Sequence, residues 1–101
     1  MATNKMRPIH PGEILREEFL APLGMSANAL AMALHVPAPR INDVVRERRA
    51  VSPDTALRLA RYFDTTAQFW LNLQSAFDLK NAESEAGGQI AEEVRPMQRA
   101  A

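Results

Sequence analysis

The sequence predicts an all-α fold, a five-helix domain followed by a short C-terminal tail. Two observations carry that prediction. Apolar residues recur at helical spacing in five separate stretches, and no stretch reads convincingly as a strand. Capping or turn residues (Ser26, Ser52, Thr66, prolines and Gly24) also stand at the borders of those stretches, where a helix needs partners for its unpaired backbone groups. A chain of 101 residues suits one domain with one modest core. Its apolar share, 47%, argues against wholesale disorder.

The first helix follows the turn-like HPG and is expected over about Pro11 to Leu20. Ile14, Leu15 and Phe19 give it an apolar side, and Pro22 and Gly24 are expected to stop it. Glu13, Glu17 and Glu18, beside Arg16, read as its solvated face. His10 reads as part of the helix start. The second helix begins after the N-cap Ser26 and ends near His35, with Ala27, Leu30, Ala31 and Leu34 at i, i+3, i+4 and i+7.

The third helix lies in VPAPRINDVVRERRA, residues 36–50, and begins within about a residue of Ala38. Pro39 fits a first turn, whose N–H groups have no helical acceptor. At about 100° per residue, Ile41, Val44 and Val45 share one side. Pro39, Asp43, Arg46 and Glu47 fall opposite, with Arg40 and Asn42 on the flanks. The fourth helix opens SPDT, with Ser52 as cap and Pro53 at the first helical position. Ala56, Leu59, Ala60 and Phe63 form its face. The fifth starts after Thr66 and runs toward Asn81, with Phe69, Trp70, Leu73 and Phe77 on a wide apolar side taken as core. Leu71 points elsewhere, which suggests a second apolar contact. The organisation expected is an N-terminal arm over 1–8, the helical domain over 9–82, and a tail over 83–101, mobile or docking on a partner as a short turn of helix.

Composition narrows the function. There is no cysteine, and the two histidines stand far apart, so no metal site and no cofactor is expected. No credible nucleophile–base pair is visible, and an enzyme is not expected. No apolar run approaches the roughly 20 residues that cross a bilayer. The N-terminus lacks the apolar core of a signal peptide, so a cytoplasmic protein is expected. Twelve basic and twelve acidic residues cancel, yet their distribution is uneven. Residues 36–50 carry Arg40, Arg46, Arg48 and Arg49 against Asp43 and Glu47, while 78–93 carry five carboxylates against Lys80 alone.

Helices two and three, joined by a short connection, form a helix–turn–helix. In such a unit the first helix braces on the DNA backbone and the second enters the major groove. The outer face of helix three has suitable chemistry. Arg40 and Arg46 suit guanine edges or phosphates. Asn42 suits adenine or a phosphate. Asp43 suits a cytosine amino group, or orients a neighbouring arginine. Ala38 and Pro39 suit a thymine methyl, and Arg48 and Arg49, in the loop, suit phosphate. The bland alternative from spacing alone is a solvated helix of a generic bundle.

The chain resembles the HigA-type antitoxins, a branch of the lambda-repressor-like (XRE) helix-turn-helix proteins. The resemblance rests on HPGEILREEFL (10–20), on SANALAMALHVPAPRINDVVRERRAV (26–51) and above all on SPDTALRLARYFDTTAQFWLNLQ (52–74). It covers roughly residues 6 to 80 in one register. It implies a homodimer that binds a double-stranded DNA operator with an inverted repeat, represses its own operon and neutralises a cognate ribonuclease toxin, a RelE-like protein that cleaves mRNA. A dimer contact through helix five is expected at Leu71, Gln74 and Phe77. Two departures concern the backbone. His35 stands where the family commonly has glycine, and RERR (46–49) replaces a commoner Asn-Gly-Lys-Arg type of turn. The alternative is a solitary XRE-family regulator, or a protein-interaction module without a toxin partner.

Overall fold

The computed structural model describes residues 7–98. Most of the expected arm over 1–8 and the last residues of the tail lie outside the described residues. Among the described residues there are five helices and no strand. Helix α1 runs without a break through Pro11–Ile14, Leu15–Leu20 and Ala21–Leu23. Helices α2 (Ala27–Leu34), α3 (Ala38–Val45), α4 (Pro53–Phe63) and α5 (Ala67–Glu93) follow.

The expected caps are in place because each supplies an acceptor for an otherwise unpaired N–H. Ser26 Oγ accepts from Ala29 N at 3.0 Å, Ser52 Oγ from Thr55 N at 3.3 Å, and Thr66 Oγ1 from Phe69 N at 3.0 Å. His10 does the same for α1, its Nδ1 accepting from Gly12 N at 2.8 Å.

Helix α1 outruns its expected end by most of a turn. Leu15–Leu20 is wound as a π-helix, in which Ala21 N donates five residues back to Arg16 O. Pro22 has no N–H to donate, and in an α-helix its ring would press on the carbonyl four residues earlier. The wider π turn directly before it relieves that contact and lets the helix continue to Leu23. Gly24, left-handed at φ 60°, then ends it.

The core is one cluster to which all five helices contribute. Leu15, Leu30, Ile41, Val44, Leu59 and Trp70 are fully buried. The indole N–H of Trp70 donates to Thr65 Oγ1 at 2.9 Å, so its burial strands no donor. Phe69, expected in the core, sits at its rim instead, 37% exposed and edge-on to Trp70. Helix α2 packs on α3, α4 on α5, and α1 crosses both α3 and α5. The crossing with α3 is unusually close. A Cβ on Gly12 would lie 1.8 Å from the carbonyl oxygen of Val44, so only glycine fits there.

Both turns that lack the family's glycine keep a left-handed backbone. His35 has φ 58° and Glu47 φ 62°, and Asp64 adds a third such residue at φ 56°. Each therefore carries a side chain where glycine is favoured.

Helix α5 does not end near Asn81. It crosses the boundary expected at residue 83 and continues to Glu93. Residues 82–93 are exposed apart from half-buried Ala86 and Gly87. The radius of gyration, 17.3 Å, exceeds the roughly 13 Å of a compact chain this long, and the longest axis is 56 Å. The excess is the projecting end of α5. The Gly pair at 87–88 lowers helix propensity without breaking backbone hydrogen bonding, so the helix runs on through it.

Candidate nucleic-acid interface

Helix α3 is held from within by Ile41, Val44 and Val45, each at most 9% exposed. That leaves its opposite side, and the loop after it, for other contacts. Pro39 is exposed on that side, and Arg46, Arg48 and Arg49 are exposed at its end. Ala38 is turned partly inward against the core, so it offers less to a thymine methyl than expected.

The remaining residues of the face are half-buried and engaged. Arg40 Nη1 donates to Asp54 Oδ2 at 2.5 Å, and the same oxygen accepts from Arg58 Nε at 2.9 Å. Arg58 and Arg40, in that order, hold the Asp54 carboxyl below the usual aspartate range. Arg58 also reaches back to Leu34 O at 2.8 Å, tying the end of α2 to α4. Asp43 accepts from Arg49 at 3.2 Å, the orienting role open to it from its sequence position. Asn42 Nδ2 donates to Asn28 Oδ1 at 2.7 Å and to Ala38 O at 2.9 Å. Among the described residues, Arg46 and Arg48 take part in none of the ion pairs.

The loop after α3 is anchored from α1. Arg16 donates through Nη1 to the carbonyl of Val45 and through Nη2 to Glu47 at 3.4 Å. Arg16 thus serves more than a solvated face, and it steadies the segment carrying Arg46, Arg48 and Arg49. Glu13 is also engaged, in a two-bond pair with Arg7 at 2.7 and 2.8 Å. That hydrogen bonding holds the Glu13 carboxyl below its ordinary range.

Asn28, Asp54, Arg58 and Arg16 were not singled out from the sequence as parts of this face. Asn28 and Asp54 each stand 14 residues from their partner on α3. The partners sit on different helices, so the periodicity of one helix does not link them. One signal was present: both lie in the first turn of a helix flanking α3, where a short polar side chain has reach to a neighbour.

The residues expected at a dimer contact divide. Leu71 and Phe77 are half-buried, with Leu71 against the core and Phe77 edge-on to the ring of His10, centroids 4.8 Å apart. Gln74 is buried, only 8% exposed, and its amide is spent on partners in its own chain. Its Oε1 accepts from Val51 N at 2.8 Å, and its Nε2 donates to Asp78 at 3.0 Å. Apart from Phe69 at the rim of the core, the large apolar side chains that α5 leaves exposed lie further along, at Leu79 and Ile90, followed by Val94 and Met97. No helix among the described residues is long and apolar enough to cross a membrane.

Comparison with known proteins identifies this arrangement. A helix-turn-helix family model matches residues 15–70. Virulence-associated protein I of Dichelobacter nodosus is 63% identical over 82 residues, covering 81% of this chain and 76% of that protein. Among solved structures, the Pseudomonas aeruginosa antitoxin HigA with the higBA promoter superposes with a TM-score of 0.89 at 58% identity, over 91% of this chain and all of that one. The antitoxin GraA in complex with its operator superposes equally well, TM-score 0.89, at 55% identity over 98% of this chain and all of that one. The chain belongs to the XRE helix-turn-helix family, in the branch of the HigA antitoxins.

Proposed function

We propose that this protein is a cytoplasmic antitoxin that binds its own operator as a homodimer, represses its operon, and neutralises a RelE-like mRNA-cleaving toxin. The observation that carries the DNA-binding part is the outer face of α3. There Arg46 and Arg48 are exposed and free of ion pairs among the described residues, Arg49 lies beside them, and Arg40 and Asn42 are held in place. Arginine is well suited to both guanine edges and phosphates, and a single α-helix fits the major groove. HigA on the higBA promoter and GraA on its operator, both more than half identical to this chain, support the same use. Two copies of α3 in successive major grooves would stand about 34–36 Å apart and read an inverted repeat.

The dimer reading draws on α5. An isolated helix carrying two adjacent glycines is marginal in water, so the exposed stretch through Gly87, Gly88 and Ile90 calls for a covering partner. The toxin reading rests on membership in the antitoxin branch and on the acidic segment over 78–93, which suits a basic protein.

The test is a gel-shift titration against the DNA upstream of the gene and against random DNA, at about 50 and about 200 mM salt. Preference for the upstream DNA that survives the higher salt supports the operator reading. Equal binding to both, lost with salt, defeats it. Arg46→Ala is expected to weaken operator binding by about 1–3 kcal/mol where it makes a bidentate base contact. Wild-type affinity in that variant removes Arg46 from the reading face. For the antitoxin part, the product of the adjacent gene is co-expressed and its mRNA cleavage measured. A product that neither cleaves mRNA nor binds this chain leaves a solitary regulator.

A further inference from the structure

Asn42 was expected to suit adenine, whose major-groove edge offers N7 as acceptor and N6 as donor. A two-bond contact of that kind needs both ends of the amide. The hydrogen bonds around Asn42 leave only one end free. The carbonyl of Ala38 is an acceptor and nothing else, so the atom of Asn42 lying 2.9 Å from it must be the amide nitrogen. That settles which way the Asn42 amide faces, because the flipped amide would set oxygen against oxygen. The nitrogen is also 2.7 Å from the Asn28 side chain, which must therefore present its oxygen. An amide nitrogen has two hydrogens, and both are now used. Asn42 keeps an unused Oδ1, and Asn28, exposed in the first turn of α2, keeps an unused Nδ2 among the described residues.

We propose that the Asn28–Asn42 pair makes Asn42 an acceptor-only reader, which selects an exocyclic amino group in the major groove, with Asn28 as the positioning residue that enforces that choice. The bases offering such a group are adenine, through N6, and cytosine, through N4. Guanine and thymine present acceptors at the corresponding place, and an acceptor facing an acceptor is repelled. The N7 of adenine takes no part. The outward Nδ2 of Asn28 is a donor suited to the adjacent phosphate, so one pair fixes both a base preference and a backbone contact.

The inference rests on the DNA-binding reading of α3, and the experiment separates the two. The protein is titrated against its operator with each adenine replaced in turn by 7-deazaadenine, which lacks N7, or by purine, which lacks the amino group. Each cytosine is replaced by 2-pyrimidinone, which lacks the N4 amino group. The position read by Asn42 is the one whose sensitivity disappears in Asn42→Ala. There, loss of the amino group is expected to weaken binding about tenfold, while 7-deazaadenine leaves it unchanged. In Asn28→Ala, one hydrogen of Asn42 is released to donate. If the base is adenine, 7-deazaadenine then becomes unfavourable at that position. At either base, discrimination against guanine falls, and a merely structural role for Asn28 would not alter readout at a single base. Asn28→Asp keeps the acceptor for Asn42 and is expected to retain the wild-type preference while losing the phosphate donor.

Equal losses from removing N7 and the amino group in the wild-type protein would overturn the proposal in favour of a two-bond adenine contact. So would the lack of any position uncoupled by Asn42→Ala while the protein still prefers its operator, which would leave the DNA-binding reading standing. Loss of all operator preference in the wild-type protein would overturn both.

Discussion

Replacing Gly12 by alanine tests the closest approach in the fold. The added Cβ would meet the Val44 carbonyl oxygen at 1.8 Å and its carbon at 2.8 Å. Ordinary contact begins near 3.4 Å, so α1 and α3 must separate by about 1.5 Å. The obstacle is backbone inside a helix and has no rotamer to adopt. Separation would also loosen Leu15 and Val44, both fully buried. Overpacking of this kind costs about 1–3 kcal/mol, and a backbone obstacle places Gly12→Ala at the upper end. At about 4–8 °C per kcal/mol for a domain of this size, the midpoint should fall by more than about 10 °C. Thermal unfolding followed by circular dichroism reads it, with Gly88→Ala as control. The Gly88 site is helical and empty within 4 Å, so the same chemical change there should stabilise by up to about 1 kcal/mol. A Gly12→Ala midpoint within about 2 °C of wild type would refute the close-approach argument.

Three further outcomes are expected. Glu47→Gly, at φ 62°, should raise the urea midpoint by an amount worth about 1 kcal/mol, and an unchanged or lower midpoint would show that Arg16 and the turn already offset the left-handed strain. Gln74→Ala leaves the buried N–H of Val51 without its acceptor and should cost about 1–3 kcal/mol by the same measurement, whereas a neutral result would mean another acceptor reaches it. Burial holds the pKa of His10 below the ordinary 6.5, although Glu47, Asp78 and the Arg49 backbone pull it partly back. The unfolded chain therefore binds more protons just below pH 6.5, so stability should fall as pH drops from there. Protonating Nδ1 also removes the acceptor that caps α1. The carboxylates held low, Glu13 and Asp54, act in a separate window below about pH 4.5, so His10→Asn, which keeps a capping acceptor, should flatten the curve between about pH 6.5 and 5.5. An equally steep fall in that variant would assign the effect elsewhere.

The chain's local order was legible in its sequence because it is written over a few residues. A hydroxyl three residues ahead of an unpaired N–H makes Ser26, Ser52 and Thr66 readable as caps. Periodicity within one helix placed Ile41, Val44 and Val45 inside and, by subtraction, put Arg46 outside. What only the tertiary structure decided depends on pairs far apart in the chain. The pairing of Arg40 with Asp54, of Asn42 with Asn28 and of Arg16 with the Val45 carbonyl depends on how helices cross. So does the inward use of Gln74, whose acceptor Val51 seeks from 23 residues away. The end of α5 escaped for a different reason: Gly87 and Gly88 weaken a helix statistically, but they supply its hydrogen bonds as well as any residue does. Spacing along one helix determined which side chains face out. The crossing of helices decided which of those side chains are already engaged, because a hydrogen bond needs its partner within about 3 Å and sequence distance does not measure that.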